Sequence, residues 1–406
     1  MPAREFPFVI CNLSFVMSFE LKARMSNYSK IVTDVENGVS SKEWTLDSRE
    51  IGSAAGNWSV RKKTLSGGRQ EGTEVIYVDN GLLRFSVVPS RGFNIWEGQI
   101  GNIRLGWDSP VREIVHPQFI NLGDKGGLGW LAGFGEFVSR CGLESMGAPC
   151  VDGNTSLSLH GRINYLPASL VEVRFEGTPA PRLVLRASID ETMMFGPQLR
   201  LLAEISTGIG KPEITFNDSI TNLSDSPQEF QTLYHINFGP PLLGVGSQFI
   251  APIKNVAPRD KRAVEGIDGW NQYTGPHGPG YTEEVYLMEL WSDEQGQTEA
   301  LLKSPDGQRG ASVCFSTKEL PYFTLWKNEA PLRNGYVTGL EPATSYPCPR
   351  PFERSAGRLP TLNAGESYRS RVVIRVPQNA SEVGETEARI KNLQREEAKI
   401  QRTPVL

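Results

Sequence analysis

His160 and His235 each sit in a short apolar, strand-like run, Leu157–Ser158–Leu159–His160–Gly161 and Leu233–Tyr234–His235–Ile236–Asn237–Phe238, and Glu341 lies in a third, Gly339–Leu340–Glu341–Pro342. Imidazole titrates near neutrality and a carboxylate beside it can exchange a proton with it, so these three groups are the ingredients of an acid–base site that closes only in the fold. Two histidines and a carboxylate could also form a facial metal triad. The chain lacks an H-x-H pair, so the expectation is a site with no metal and no cofactor. Glycines cluster in no phosphate-cradling loop that opens a helix, which argues against a nucleotide.

Other residues have types and positions suited to binding. Arg91, in Pro89–Ser90–Arg91–Gly92, and Arg140, in Ser139–Arg140–Cys141–Gly142, offer forked donors; Asn237 follows His235 by two residues; Trp130 lies in a glycine-rich stretch. An aromatic in such a stretch can stack on a ligand or anchor its loop on the core, and an arginine can instead pair with a carboxylate. Cys141 is read as a small buried apolar residue rather than a reactive thiol, and His116 as structural.

The elements that must position these groups are strands. Glu74–Val78 and Leu82–Val88 flank Asp79–Asn80–Gly81, a strong hairpin signal because Asn and Gly tolerate positive φ. Runs at 169–175, 183–189, 198–206 and 213–222, separated by glycine and proline, predict an antiparallel meander with turns every 8 to 15 residues or so. No helical periods intervene to make parallel units, so the fold class is all-β, a large antiparallel sandwich. Residues 101–153 lose periodicity and fill with glycine, proline and aromatics, the mark of a loop lining a site; 266–280 reads as a second loop over one face. The charged segment from Glu382 to Gln401 predicts a peripheral helix.

The composition, 39% hydrophobic and 22% charged with a net charge of −4, is that of an ordinary globular chain and gives no basic patch for nucleic acid. Five cysteines without a C-x-x-C pair fit a reducing, cytoplasmic setting. The apolar run from Phe6 to Phe19 is too short to span a bilayer; translation from Met25 would account for it. The expected organisation is a peripheral extension over 1–45, a sandwich over 46–377 and a helical tail over 378–406, in a monomer or homodimer that engages neither membrane nor nucleic acid.

Leu159–His160–Gly161, Tyr234–His235 with Asn237–Phe238, and Gly339–Leu340–Glu341 resemble, in order and spacing, the motifs of the galactose mutarotase (aldose 1-epimerase) family. Pro89–Ser90–Arg91–Gly92 and Arg140–Cys141–Gly142–Leu143 are similar to an uncharacterised branch of it. The resemblance implies a mutarotase-type supersandwich binding a small sugar on one sheet face. It implies that Glu341 is a carboxylate base taking the proton of the anomeric hydroxyl, His235 an imidazolium acid at the ring oxygen, and His160 a helper, with Arg91, Asn237, Arg140 and Trp130 on the substrate. The family's substrate aspartate has no clear match; Asp268 and Glu284 are candidates. A non-catalytic carbohydrate-binding protein, or another sugar isomerase or lyase on the same scaffold, are the alternatives. The expected geometry places donor and acceptor on opposite sides of one sugar-sized hollow.

Overall fold

Leu170–Glu176 and Glu213–Asn222 bury every second residue, as strands do with one face on a core and one in water. With Arg182–Thr192 and Gln198–Gly208 between them they form the expected meander of antiparallel neighbours. The computed structural model describes residues 27–53 and 55–406. Within it this sheet grows to ten strands, by Ser367–Arg375, Gly310–Ser316, Gln297–Lys303 and Gln248–Ile250 on one side and Tyr28–Asp34 with Val39–Ser40 on the other. Tyr28–Asp34 pairs with Leu170–Glu176 and buries Val32 completely. The sandwich therefore includes residues the sequence assigned to a peripheral extension; a strand that mixes Ser29 and Thr33 on one face with Lys30 and Asp34 on the other carries little apolar signal. The apolar run over 6–19 lies outside the described residues.

The second sheet has thirteen strands. Its first part is a meander that includes the hairpin Glu74–Asp79 and Leu83–Val88. Asn80 Oδ1 accepts from the Leu82 and Leu83 amides at 2.9 and 2.8 Å, and its Nδ2 donates to Thr207 Oγ1 at 2.6 Å, so one turn residue closes the hairpin and ties it to the facing sheet.

Five central strands of this sheet matter for function: β1 (Val138–Leu143), β2 (Gln231–Phe238), β3 (Glu284–Leu290), β4 (Tyr322–Asn328) and β5 (Val337–Ala343). They lie in the order β3–β4–β5–β2–β1. Tyr234, Ile236 and Leu340 point into the shared core with Phe216, Val372 and Ile374 of the facing sheet, the face-to-face packing of a sandwich. Every residue of β1, β2 and β5 is nevertheless buried. The outer face of this part of the sheet is thus covered as well, by a smaller cluster that includes Trp107, Trp130, Phe134 and Met146 from the glycine-rich segment, Tyr165 from the turn after His160, and Leu233 and Ala343 from the strands.

The helix Ala380–Leu393 packs Val383 and Ile390 on Leu301, and Lys399–Ile400 returns as a parallel edge strand beside Ile253–Pro258. No helix among the described residues is long and apolar enough to cross a membrane.

Candidate active site

The register that pairs Leu233 with Ala343 and Ile236 with Leu340 sets His235 opposite Glu341 across β2 and β5. Their side chains stand together on the covered face, His235 Nε2 3.2 Å from Glu341 Oε1, each only a few per cent exposed. Contact, not separation across a hollow, is what the fold makes, because directly opposed residues on neighbouring strands have Cβ atoms about 5 Å apart. The approach is close but not aligned as a hydrogen bond, and Glu341 Oε1 is left without a hydrogen-bond partner. Gly339 makes the space: a Cβ there would lie 2.4 Å from Glu341 Oε1 and 3.2 Å from His235 Cε1.

Asn237 sets the tautomer of His235. Its Nδ2 donates to the carbonyls of Glu136 and His235, both at 3.1 Å, which turns Oδ1 toward His235 Nδ1 at 2.7 Å. With that oxygen an acceptor, Nδ1 must carry the proton, and Nε2 is the nitrogen presented to Glu341. Asn237 is spent on the histidine and is not free for a substrate.

His160 reaches the same place from a turn instead of a strand. Its short preceding strand, Thr155–Leu157, ends before it, and His160 and Gly161 both have positive φ, 55° and 71°. A Cβ on Gly161 would stand 1.9 Å from the Ser145 carbonyl oxygen, so only glycine fits there. His160 Nδ1 donates to the Met146 carbonyl at 3.0 Å, and its ring meets that of His235 edge-on with centroids 5.2 Å apart. Phe134 and Trp326 each lie 5.2 Å from the His235 ring and Trp130 6.2 Å. Trp130 is completely buried, a wall to both histidines.

Burial governs the protonation of the trio. It pushes Glu341 well above its usual range and His235 well below, His160 adding to the effect on His235, and it lowers His160 to about 4. All three directions favour neutral forms, against the carboxylate and imidazolium expected from sequence. Among the described residues no group of three or more His, Cys, Asp or Glu side chains is placed to hold a metal ion.

Two expected binders are elsewhere. Arg140 projects to the opposite face of β1, where it holds Asp218 of the facing sheet at 2.6 and 3.0 Å and the Phe93 carbonyl at 2.7 Å. Arg91 is wholly buried, paired with Glu136 and donating to the Gly133 carbonyl at 2.9 Å. Both guanidiniums are engaged inside the fold; Arg91 also lies 4.7 Å from the Tyr165 ring centroid, and the Tyr165 hydroxyl donates to the Trp130 carbonyl at 2.6 Å. Of the acidic candidates, Glu284 is buried against Arg262 and Lys327, and Asp268 is exposed beside Arg402. The Cys141 thiol, fully buried, is pushed well above its usual range by desolvation.

The sequence left out other residues around the pair. Glu283, half-exposed, accepts from Trp326 Nε1 at 2.7 Å and pairs with Arg259 at 3.1 Å, and both charges are felt at His160 and Glu341. Ser139 and Thr324 stand directly across from His235 and Glu341 on β1 and β4, and their buried hydroxyls, like Trp130 Nε1, lack partners. Period-two alternation from Arg140 and from Leu325 would have put Ser139 and Thr324 on the site face; nothing local distinguished Glu283 from Glu284.

The two large antiparallel sheets form the sandwich of a galactose mutarotase-like protein. Solved structures agree: the chain is 34% identical to a proposed aldose 1-epimerase from Klebsiella pneumoniae subsp. pneumoniae MGH 78578, with a TM-score of 0.91 over 94% of this chain and 100% of that one. A galactose mutarotase-like protein from Clostridium acetobutylicum, 14% identical, shares the fold with a TM-score of 0.52 over 79% of this chain and 98% of that one. The chain belongs to a branch of this family described as "Domain of unknown function (DUF4432)", which matches residues 70–376. No curated protein matches it.

Proposed function

We propose that the protein is an aldose 1-epimerase-type isomerase that interconverts the anomers of a small sugar with the His235–Glu341 pair. The observation that carries this reading is the buried 3.2 Å approach of His235 Nε2 to Glu341. Anomer exchange needs one proton taken from the C1 hydroxyl and one given to the ring oxygen. Those two oxygens are bonded to the same carbon, so two neighbouring groups such as His235 and Glu341 can serve both.

Neutral His235 with its proton on Nδ1 is a base at Nε2, and protonated Glu341 is an acid. His235 accepts the C1 hydroxyl proton while Glu341 donates to the ring oxygen, the C1–O5 bond breaks, and the open-chain aldehyde turns about C1–C2. Closure on the other face returns both protons. These roles invert those implied by the family resemblance, and the proton count is the same. The orphaned hydroxyls of Ser139 and Thr324 are suited to bind sugar hydroxyls, and Trp326, held by Glu283, packs beside His235.

The test is NMR exchange on equilibrated aldoses. Enzyme-dependent magnetisation transfer between α and β signals is expected. Saturable binding without exchange would replace the proposal with a carbohydrate-binding role, and a new isomeric or unsaturated product would replace it with proton abstraction beside a carbonyl.

A further inference from the structure

A cavity of about 570 Å³ adjoins the segments that carry His160, lined by residues that include Glu144, Ser145, Ser158, Arg162 and Glu191. Its size is in the usual range for small-molecule sites, about 300 to 1,000 Å³. Two of its lining side chains are buried and incompletely satisfied. Glu191, 1% exposed, uses Oε2 to accept from the Leu143 amide at 2.6 Å, but its Oε1 has no partner; Ser145, 2% exposed, has a hydroxyl with none. Buried polar atoms left unpaired are costly and rare, and two in one cavity mark a place where something else completes them.

The lining selects the chemistry. Desolvation raises Glu144 and brings Glu191 to about 7, and exposed Arg162 lies close enough to both to oppose that shift. An anion would meet two carboxyl groups, a bound cation lacks a cluster of three ligands among the described residues, and an apolar ligand would leave the orphans unpaired. A neutral molecule rich in hydroxyls can donate to Glu191, Glu144 and Ser145 and accept from Arg162.

We propose that this cavity is a saccharide site, distinct from the His235–Glu341 pair. The segments that carry His160 border both: Ser145 adjoins Met146, whose carbonyl fixes the His160 ring, and Ser158 adjoins Leu159, whose amide donates to the Gly127 carbonyl at 2.9 Å. The ligand is a free sugar or glycoside held by this cavity alone.

The experiment is calorimetric titration with methyl α- and β-pyranosides of glucose, galactose, mannose and xylose, which cannot open at C1, and with methyl β-maltoside and methyl β-lactoside. The expected result is saturable binding of at least one, weakened about tenfold or more by Arg162→Ala or Ser145→Ala, the loss of a charged or buried hydrogen bond. Arg162 is exposed, so its variant tests the site even if the Ser145 variant folds poorly. Binding weakened by these variants and not by Glu341→Gln supports a separate site; binding weakened equally by Glu341→Gln overturns it. Binding to none, or binding lost in Glu341→Gln and indifferent to Arg162→Ala and Ser145→Ala, overturns the proposal. Absent anomer exchange with this binding intact would remove the epimerase reading and leave the saccharide site standing.

Discussion

Glu341 shows how one side chain can oppose stability and serve chemistry. A carboxyl whose folded pKa is raised holds its proton more tightly in the native than in the unfolded chain, so its favourable contribution is present below 4.5 and is lost as pH climbs toward the folded value. Glu341→Gln removes that loss. The stability gap in favour of the variant should therefore widen as pH rises from 4.5, by about 1.4 kcal/mol per pH unit until the folded value is passed; urea melts of both proteins across pH measure it, and a constant gap would mean that Glu341 is ionised in the fold. His235 has the opposite sign: its folded pKa lies below 6.5, so its burial costs stability as pH falls through that region. Asn237 gives a second residue-scale prediction. Asn237→Leu removes the acceptor that keeps the proton on Nδ1, and nitrogen-resolved NMR should show His235 shifting toward the Nε2–H form, with exchange activity down about tenfold or more. An unchanged tautomer would remove Asn237 from the mechanism.

At the scale of strands, the site depends on two opposed positions and one missing side chain. The β2–β5 register delivers His235 to Glu341, and Gly339 leaves them room. Gly339→Ala is expected to force both side chains apart and to lower exchange activity by at least 10²-fold, the range of a lost general acid–base group. The expected stability cost is that of overpacking, about 1 to 3 kcal/mol. Activity retained within a few fold would show that the pair need not touch. The sequence displayed β2 and β5 as apolar runs and their alternation as facing, so His235 and Glu341 could be singled out. It could not display partners: Arg140 and His235 look equally like site residues, yet the pairing of Arg140 with Tyr234 sends it to the core and the pairing of Ser139 with His235 sends Ser139 to the site. His160 was placed on a strand because Leu157 and Leu159 alternate, whereas the His160–Gly161 turn was fixed by contact with the Ser145 and Gly142 carbonyls, distant in sequence.

At the scale of the molecule, buried ion pairs join the site strands to the rest of the sandwich. Arg140 crosses the interior to Asp218, which also accepts from the Tyr234 hydroxyl of β2 at 2.7 Å and from the Glu204 amide at 3.4 Å. Arg140→Met leaves Asp218 buried without its cation and is predicted to cost about 3 to 5 kcal/mol of stability. Thermal melts should show it, while sugar affinity in the folded fraction stays near wild type; weaker binding without destabilisation would restore Arg140 to the site. The all-β class and most of the meander were readable because half-buried strands advertise themselves by alternation. Strands such as Tyr28–Asp34, and the loops that cover the second sheet's outer face, were not, because their stability comes from neighbours rather than from their own pattern.

The central claim is that proton transfer by His235 and Glu341 turns over sugar. The most direct measurement is the anomer exchange rate of a turned-over aldose with wild type, Glu341→Gln and His235→Ala, each confirmed as folded. Either substitution alone is expected to lower the rate by about 10² to 10⁴-fold, and the double variant to be little worse, since both groups serve one step. Exchange at the wild-type rate in either single variant would contradict it.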